Sequence, residues 1–332
     1  MDSLVKRLDD RLTAPESLGQ LAREILSATR SESTREAYRR DWERFATWAK
    51  QNGCEEYPVS SHVLGAFLVW MHGEGFAKST INRTVTVFRL AHDELDDPTG
   101  DRAIRAIIAG IMRRDRRPTR QAKPMSFAEL QAICEALSGS DSRRSLRDRA
   151  VISLGWIGAL RASEIVAIDW ADLIEVTEGL EVRIRESKTN KTGEAEIVAI
   201  PYLRNELQSV CAIRNLLALL PKASEVEDPF GWFDRLKAGN VPVFTKTGEM
   251  TADRMSERTI ERALERACKL AGINKRFTSH SLRRGFATHA AHRGITMIAL
   301  KAHGRWKSSA VAEKYIERAD LWRHNPIRDL LG

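Results

Sequence analysis

The stretch Thr278 to Glu317, TSHSLRRGFATHAAHRGITMIALKAHGRWKSSAVAEKYIE, sets several hydrogen-bond donors beside one phenol: His280, Arg283, His303 and Trp306 precede Tyr315. His280 and Arg283 are three residues apart at a helix start, so they share a face and can both donate to a single anion. Taken singly, the pair also reads as a core histidine beside a surface arginine. Tyr315, between Val311 and Ile316, also reads as a half-buried helix residue. Two further cations come from upstream. Arg161 directly follows a strongly apolar segment, where a long charged side chain either snorkels out or projects into a pocket. Lys188, with Lys191 close by, stands near the tip of a hairpin pattern, where a solvated turn lysine is the plainer reading.

The elements that must hold these residues follow from periodicity. Tyr38, Trp42, Phe45 and Trp48 recur at helical spacing up to Asn52-Gly53, after a Ser33/Glu36 capping pattern. Three more helices follow: Val63 to Met71 ending at Gly73, Ile81 to Ala91, and Ile104 to Ile111 after the Asp97-Pro98-Thr99-Gly100 turn. This predicts an all-helical domain over residues 1–112. Residues 113–124, RRDRRPTRQAKP, are basic, hold two prolines and lack apolar periodicity, so they read as a linker.

The remainder, 125–332, predicts a second domain that is mainly helical with a small sheet. It opens on a Ser126/Glu129 capping box. Arg147 to Leu160 reads as a buried helix, and Ser163-Glu164 as the cap of a short helix over Ile165 to Ile168. From Leu180 the period becomes two: Val182 and Ile184 alternate with charge, Thr189 to Gly193 turns, and Ile197 to Ile200 returns as a hairpin. Helices are expected over Leu203 to Leu220 and Ser256 to Ala271, separated by a loop-like stretch from Pro221 to Val241.

A net charge of +8 on 332 residues favours a polyanionic partner, without choosing among DNA, RNA and an acidic membrane surface. Cys54, Cys134, Cys211 and Cys268 are far apart and read as reduced core thiols. No stretch approaches a membrane span and the N-terminus lacks a signal-peptide core, so a soluble cytoplasmic, nucleoid-associated protein is expected.

Order and spacing join the single motifs. An arginine in ALRASEI, a lysine in ESKTNKTGE, then HSLRRG, AHGRW and EKYIE, with the tyrosine nine residues after the tryptophan, resemble the tyrosine recombinase (phage integrase) family over nearly the whole chain. The resemblance implies a helical core-binding domain and an α+β catalytic domain. It further implies that Tyr315 attacks a scissile phosphate to form a 3′-phosphotyrosyl bond, while Arg161 and Arg283 hold its non-bridging oxygens. Lys188 would protonate the 5′-oxygen, with Lys191 as the alternative within the hairpin register. His280 would be acid and base for the phenol, and Trp306 a donor to the phosphate. Glu164 and His303 would support them, His303 being a second candidate for the Trp306 position.

Contacts to double-stranded DNA are expected from Arg39, Arg40, Lys78 and Arg83 in the first domain. Arg113, Arg114, Arg116, Arg117, Arg120 and Lys123 of the linker, and Arg284, are expected to join them. The resemblance also implies a homotetramer on inverted-repeat sites, exchange through a Holliday junction, and neither ATP, cofactor nor metal. An apolar tail, Ile327, Leu330 and Leu331 after Pro326, would dock into a neighbouring protomer or pack in cis. Two rivals fit less well. A metal hydrolase would use His280, His289, His292 and His303, but the chain has no H-E-x-x-H. A non-enzymatic DNA-binding derivative would be expected to lack one of the catalytic residues.

Overall fold

The computed structural model describes residues 32–92, 96–114, 122–185, 195–203, 209–220, 241–249 and 251–323, with side chains from 34 to 316. The chain divides into two compact units, Met1–Thr119 and Arg120–Gly332.

The first unit contains α1 (Glu32–Gln51), α2 (Ser61–Gly73), α3 (Lys78–Ala91) and α4 (Arg102–Arg114). Ser33 lies within helix α1 and not at its cap. Trp42, Phe45 and Trp48 form one stripe of α1 and are buried against Phe67 and Phe88. Phe45 meets Phe88 edge-on at 4.8 Å and Phe67 at 5.2 Å, the geometry that aromatic quadrupoles favour. Asp41, on the same helix, is fully buried because Arg83 grips it at 2.6 and 2.9 Å and Arg44 at 2.7 Å. Arg83 thus has a structural partner, and Lys78 donates to the Met112 carbonyl at 2.9 Å near the end of α4. Arg40, Arg113 and Arg114 are exposed, while Arg39 is half-buried.

The second unit is built on α5 (Phe127–Ser138), α6 (Arg143–Ile157), α7 (Ala162–Ala167), α8 (Ala212–Leu217), α9 (Glu257–Leu270), α10 (Ser279–His292), α11 (Met297–Gly304) and α12 (Ser309–Arg323). Helix α6 is buried nearly all round, and α5, α8, α9 and α10 pack on it. Its buried Arg147 is held by Asp148 and by the Thr245 and Lys246 carbonyls, which satisfies a charge that would otherwise be costly inside. Gly285 lets α10 approach this core, since a Cβ there would lie 2.1 Å from the Met125 carbonyl.

Beside the helices, β1 (Leu173–Val176), β2 (Gly179–Ile184) and β3 (Glu196–Pro201) form an antiparallel sheet in that order. Leu180 pairs with Ile200 and Val182 with Val198, so the alternate residues of both strands enter one core. Strand β1 was not expected; it is four residues long and lacks clean alternation. The helix expected over Leu203 to Leu220 is described only as α8, preceded by extended backbone at Cys211. Val210 and Ile213 reach the same core across that break, so apolar spacing did not reveal it. Two of the cysteines, Cys134 and Cys268, are buried core residues, whereas Cys54 and Cys211 are only half-buried. No described helix is long and apolar enough to cross a membrane.

Candidate active site

Arg283 is the centre of the candidate site. The residue is 3% exposed, and its guanidinium donates to the Ala159 carbonyl at 2.5 Å and to the Gly304 carbonyl. Both acceptors lie at the C-terminal ends of helices, α6 and α11, where unsatisfied carbonyls and the helix dipole favour a cation. Both turns are left-handed: Ala159 has φ 46 and Arg305 has φ 52, the two positive-φ non-glycine residues among those described. Strain of this kind is tolerated where the surroundings over-determine the backbone. Trp306 closes the other side, with the Arg283 guanidinium 4.7 Å from its ring centre. Burial first, and then the charge of Arg161, push the Arg283 pKa down to about 9 against the opposing pull of Glu164. The group stays cationic at neutral pH and is short of negative charge.

Arg161 caps α7 from an extended conformation, so that short helix starts at Ala162 rather than at the expected Ser163-Glu164. Glu164 then falls at the third helical position, where its Oε2 accepts the Arg161 backbone N–H at 2.8 Å. Its Oε1 accepts the Arg161 guanidinium at 2.5 Å. Burial alone would raise the Glu164 carboxyl, but Arg305 and then Arg161 outweigh it and hold its pKa below the usual range.

Tyr315 projects from α12, which packs on α10 and α11. Its ring is half-buried with Ala287, Leu300 and Ala312, and lies 5.9 Å from that of Trp306. Burial raises the phenol pKa, while Arg284 and Arg283 pull it back. Arg284 therefore stands close enough to the phenol for its charge to act on it, and its buried Nε has no partner among the described residues. His280 has its pKa lowered by desolvation and then by Arg283, Arg284 and Arg161. The residue is exposed, with three guanidinium charges acting on it.

The other histidines are dispersed. His303 contacts the Ile157 carbonyl through Nε2 at 2.7 Å and stacks on Phe286 at 4.5 Å, which anchors α11 to α6. His289 stacks on Phe127 at 5.2 Å. Among the described residues, no group of three or more His, Cys, Asp or Glu could hold a metal ion. Lys188, Lys191, Arg116, Arg117, Arg120 and the tail with Ile327, Leu330 and Leu331 lie outside the described residues. Lys123 is exposed. Arg305 was not singled out in the sequence, where its signal is only its place directly before Trp306; Arg284, expected to contact a phosphate or the surface, lies near the phenol.

A helical unit followed by a mainly helical unit with a three-stranded sheet is the architecture of the tyrosine recombinases. The chain belongs to the phage integrase family: that family's model matches residues 123–321, and the model for its N-terminal SAM-like domain matches 20–95. Members of this family are enzymes that cut and rejoin DNA strands. The chain is 27% identical over 326 residues to an integrase/recombinase xerD homolog of Selenomonas ruminantium, covering 96% of this chain and 91% of the relative. It is also 27% identical over 282 residues to tyrosine recombinase XerD of Ralstonia nicotianae, covering 80% and 77%. The same fold occurs in XerH recombinase bound to a palindromic difH substrate (TM-score 0.60, 13% identity, covering 96% and 95%). It recurs in a lambda integrase dimer bound to a COC′ core site (TM-score 0.55, 15% identity, covering 94% and 76%).

Proposed function

We propose that this protein is a site-specific DNA recombinase that uses Tyr315 as its nucleophile. The observation that carries this reading is the half-buried phenol with Arg283, Arg284 and Trp306 around it, together with Arg161 held by the buried Glu164. The Tyr315 oxygen attacks the scissile phosphorus and the P–O5′ bond breaks, leaving a 3′-phosphotyrosyl bond and a 5′-hydroxyl. The phosphodiester energy is kept in that bond, so rejoining needs neither ATP nor metal.

Arg283 and Arg161 bind the non-bridging oxygens, where charge grows in the transition state. A buried guanidinium short of negative charge gains most from such a partner. His280, neutral because its pKa is depressed, takes the phenol proton and returns it on rejoining. Lys188, or Lys191, supplies the proton to the 5′-oxygen, and Trp306 donates its indole N–H to the phosphate. The helical unit and the basic linker hold the duplex. Four protomers exchange strands of two duplexes through a Holliday junction, at inverted-repeat sites, with the apolar tail docked in a neighbour. These assembly features rest on the family.

The test is covalent trapping on a nicked DNA site, obtained by selecting bound fragments from random DNA. The wild type accumulates a protein–DNA adduct and Y315F accumulates none; an adduct in Y315F removes Tyr315 from the role. Synapsis by a chain lacking residues 321–332 tests the tail, and wild-type recombination by that truncation refutes docking in trans.

A further inference from the structure

Arg305 lies where a glycine would be easier to place. It ends α11 in the left-handed region, φ 52 and ψ 44, yet its side chain is 4% exposed and committed inward. Its Nη2 donates to Glu164 Oε2 at 2.6 Å, and its Nη1 donates to the His303 carbonyl at 3.1 Å. A second carboxylate, Glu196 at the start of β3, is 3.6 Å from its Nε.

Glu164 therefore sits between two arginines. Arg161 is the outer one, with 23% of its side chain exposed, and Arg305 the inner one. A buried carboxylate facing one cation alone would draw that cation in fully and compete with any incoming anion. With Arg305 sharing its charge, the carboxylate orients Arg161 while leaving part of its fork available.

We infer that Arg305 is a positioning residue that acts through Glu164 to present Arg161 to the scissile phosphate. The inference rests on the reading that Arg161 binds a non-bridging phosphate oxygen. Arg305 itself touches no reacting atom. It also links the turn that carries Trp306 to the helix that Arg161 caps, so two halves of the site keep their spacing through one carboxylate.

The test compares single-turnover cleavage of two nicked sites by R305G, R161A and the wild type. One site has an ordinary phosphodiester at the scissile position. The other has a methylphosphonate there, in which a neutral methyl replaces one charged oxygen. Glycine accepts φ 52, so R305G removes the guanidinium without adding strain.

The expected result is DNA binding within about 2-fold of wild type and phosphodiester cleavage slower by about 10- to 100-fold, the usual loss when an orienting partner is removed. On the methylphosphonate the deficit should shrink to within about 3-fold, because the lost contribution is neutralisation of a charge that this linkage lacks. R161A should show the same dependence on linkage. An equal R305G deficit on both linkages overturns the inference, because Arg305 would then support only the fold. Slow cleavage by R161A with wild-type cleavage by R305G sinks the inference alone. Wild-type cleavage by R161A removes the reading beneath it. If R305G melts well below the wild type, R305K keeps the cation without the fork, and the same comparison of linkages decides.

Discussion

Replacing Arg283 with methionine should separate the stability of the protein from its chemistry. Methionine keeps an unbranched stem in the space between α6, α11 and Trp306 and removes the charge. Without DNA, that charge is a burden: the residue is 3% exposed, and burial with Arg161 lowers its pKa to about 9. A base whose folded pKa is depressed destabilises the fold at every pH below that value, so assays at pH 7 feel the whole effect, on the order of a few kcal/mol. On the other side, the variant loses charge-assisted bonds to the Ala159 and Gly304 carbonyls, about 1.5–3 kcal/mol each, and stacking on Trp306 of about 0.5–2 kcal/mol.

These contributions are of similar size and opposite sign, so urea denaturation should give R283M a stability within about 2 kcal/mol of wild type. Cleavage has no such compensation. Losing one charge-matched donor to a non-bridging oxygen of the pentacovalent transition state should slow single-turnover cleavage of a nicked site by roughly 100- to 1,000-fold. Cleavage within 10-fold of wild type, or a destabilisation beyond about 4 kcal/mol, would refute the account of Arg283 as a cation held ready for an anion.

Three other perturbations follow from the same geometry. At Gly304 an added Cβ would lie 2.1 Å from the Trp306 ring. G304A should therefore push Trp306 aside and cost about 100-fold in cleavage, measured against unchanged DNA binding in a gel-shift titration. The His280 pKa is lowered from its usual 6.5, so the pH–rate profile of cleavage should rise through a pKa below that value and be flat by pH 7. H280Q should lose that acid limb, and a profile unaltered in H280Q counts against His280 as the base. Burial leaves the Tyr315 phenol pKa raised above its usual value, and Arg284 offsets part of that rise. R284A should therefore slow cleavage at pH 7 by about 10-fold and recover part of the loss at pH 9, as expected when a nucleophile is harder to deprotonate; a loss independent of pH would place Arg284 on the DNA instead.

Much of the frame was legible from local pattern. The Trp42, Phe45, Trp48 stripe, the Ser126/Glu129 box and the alternation of Leu180, Val182 and Ile184 each depend on neighbours a few residues away, and each formed as its spacing predicted. The boundaries of α7 and α8 were not legible in the same way. Glu164 caps Arg161 locally, but the same carboxylate is also held by Arg305, 141 positions along the chain, a contact that local pattern does not record. The end of the apolar run before α8 depends on a core that several elements share.

The sequence alone determined which residue types were present in the right order: one phenol after a tryptophan, a histidine and arginine on one helix, and a second arginine after a buried helix. Those are local facts, set by spacing and helical phase. Only the tertiary structure decided that two helix C-termini converge on Arg283, that Arg284 faces the phenol, and that His303 turns away to the Ile157 carbonyl. The same holds for Arg305, which shares one carboxylate with Arg161. Their physical reason is the packing of α6, α10, α11 and α12. It brings together backbone carbonyls and charges that lie from 21 to 146 residues apart, and no local periodicity records that meeting.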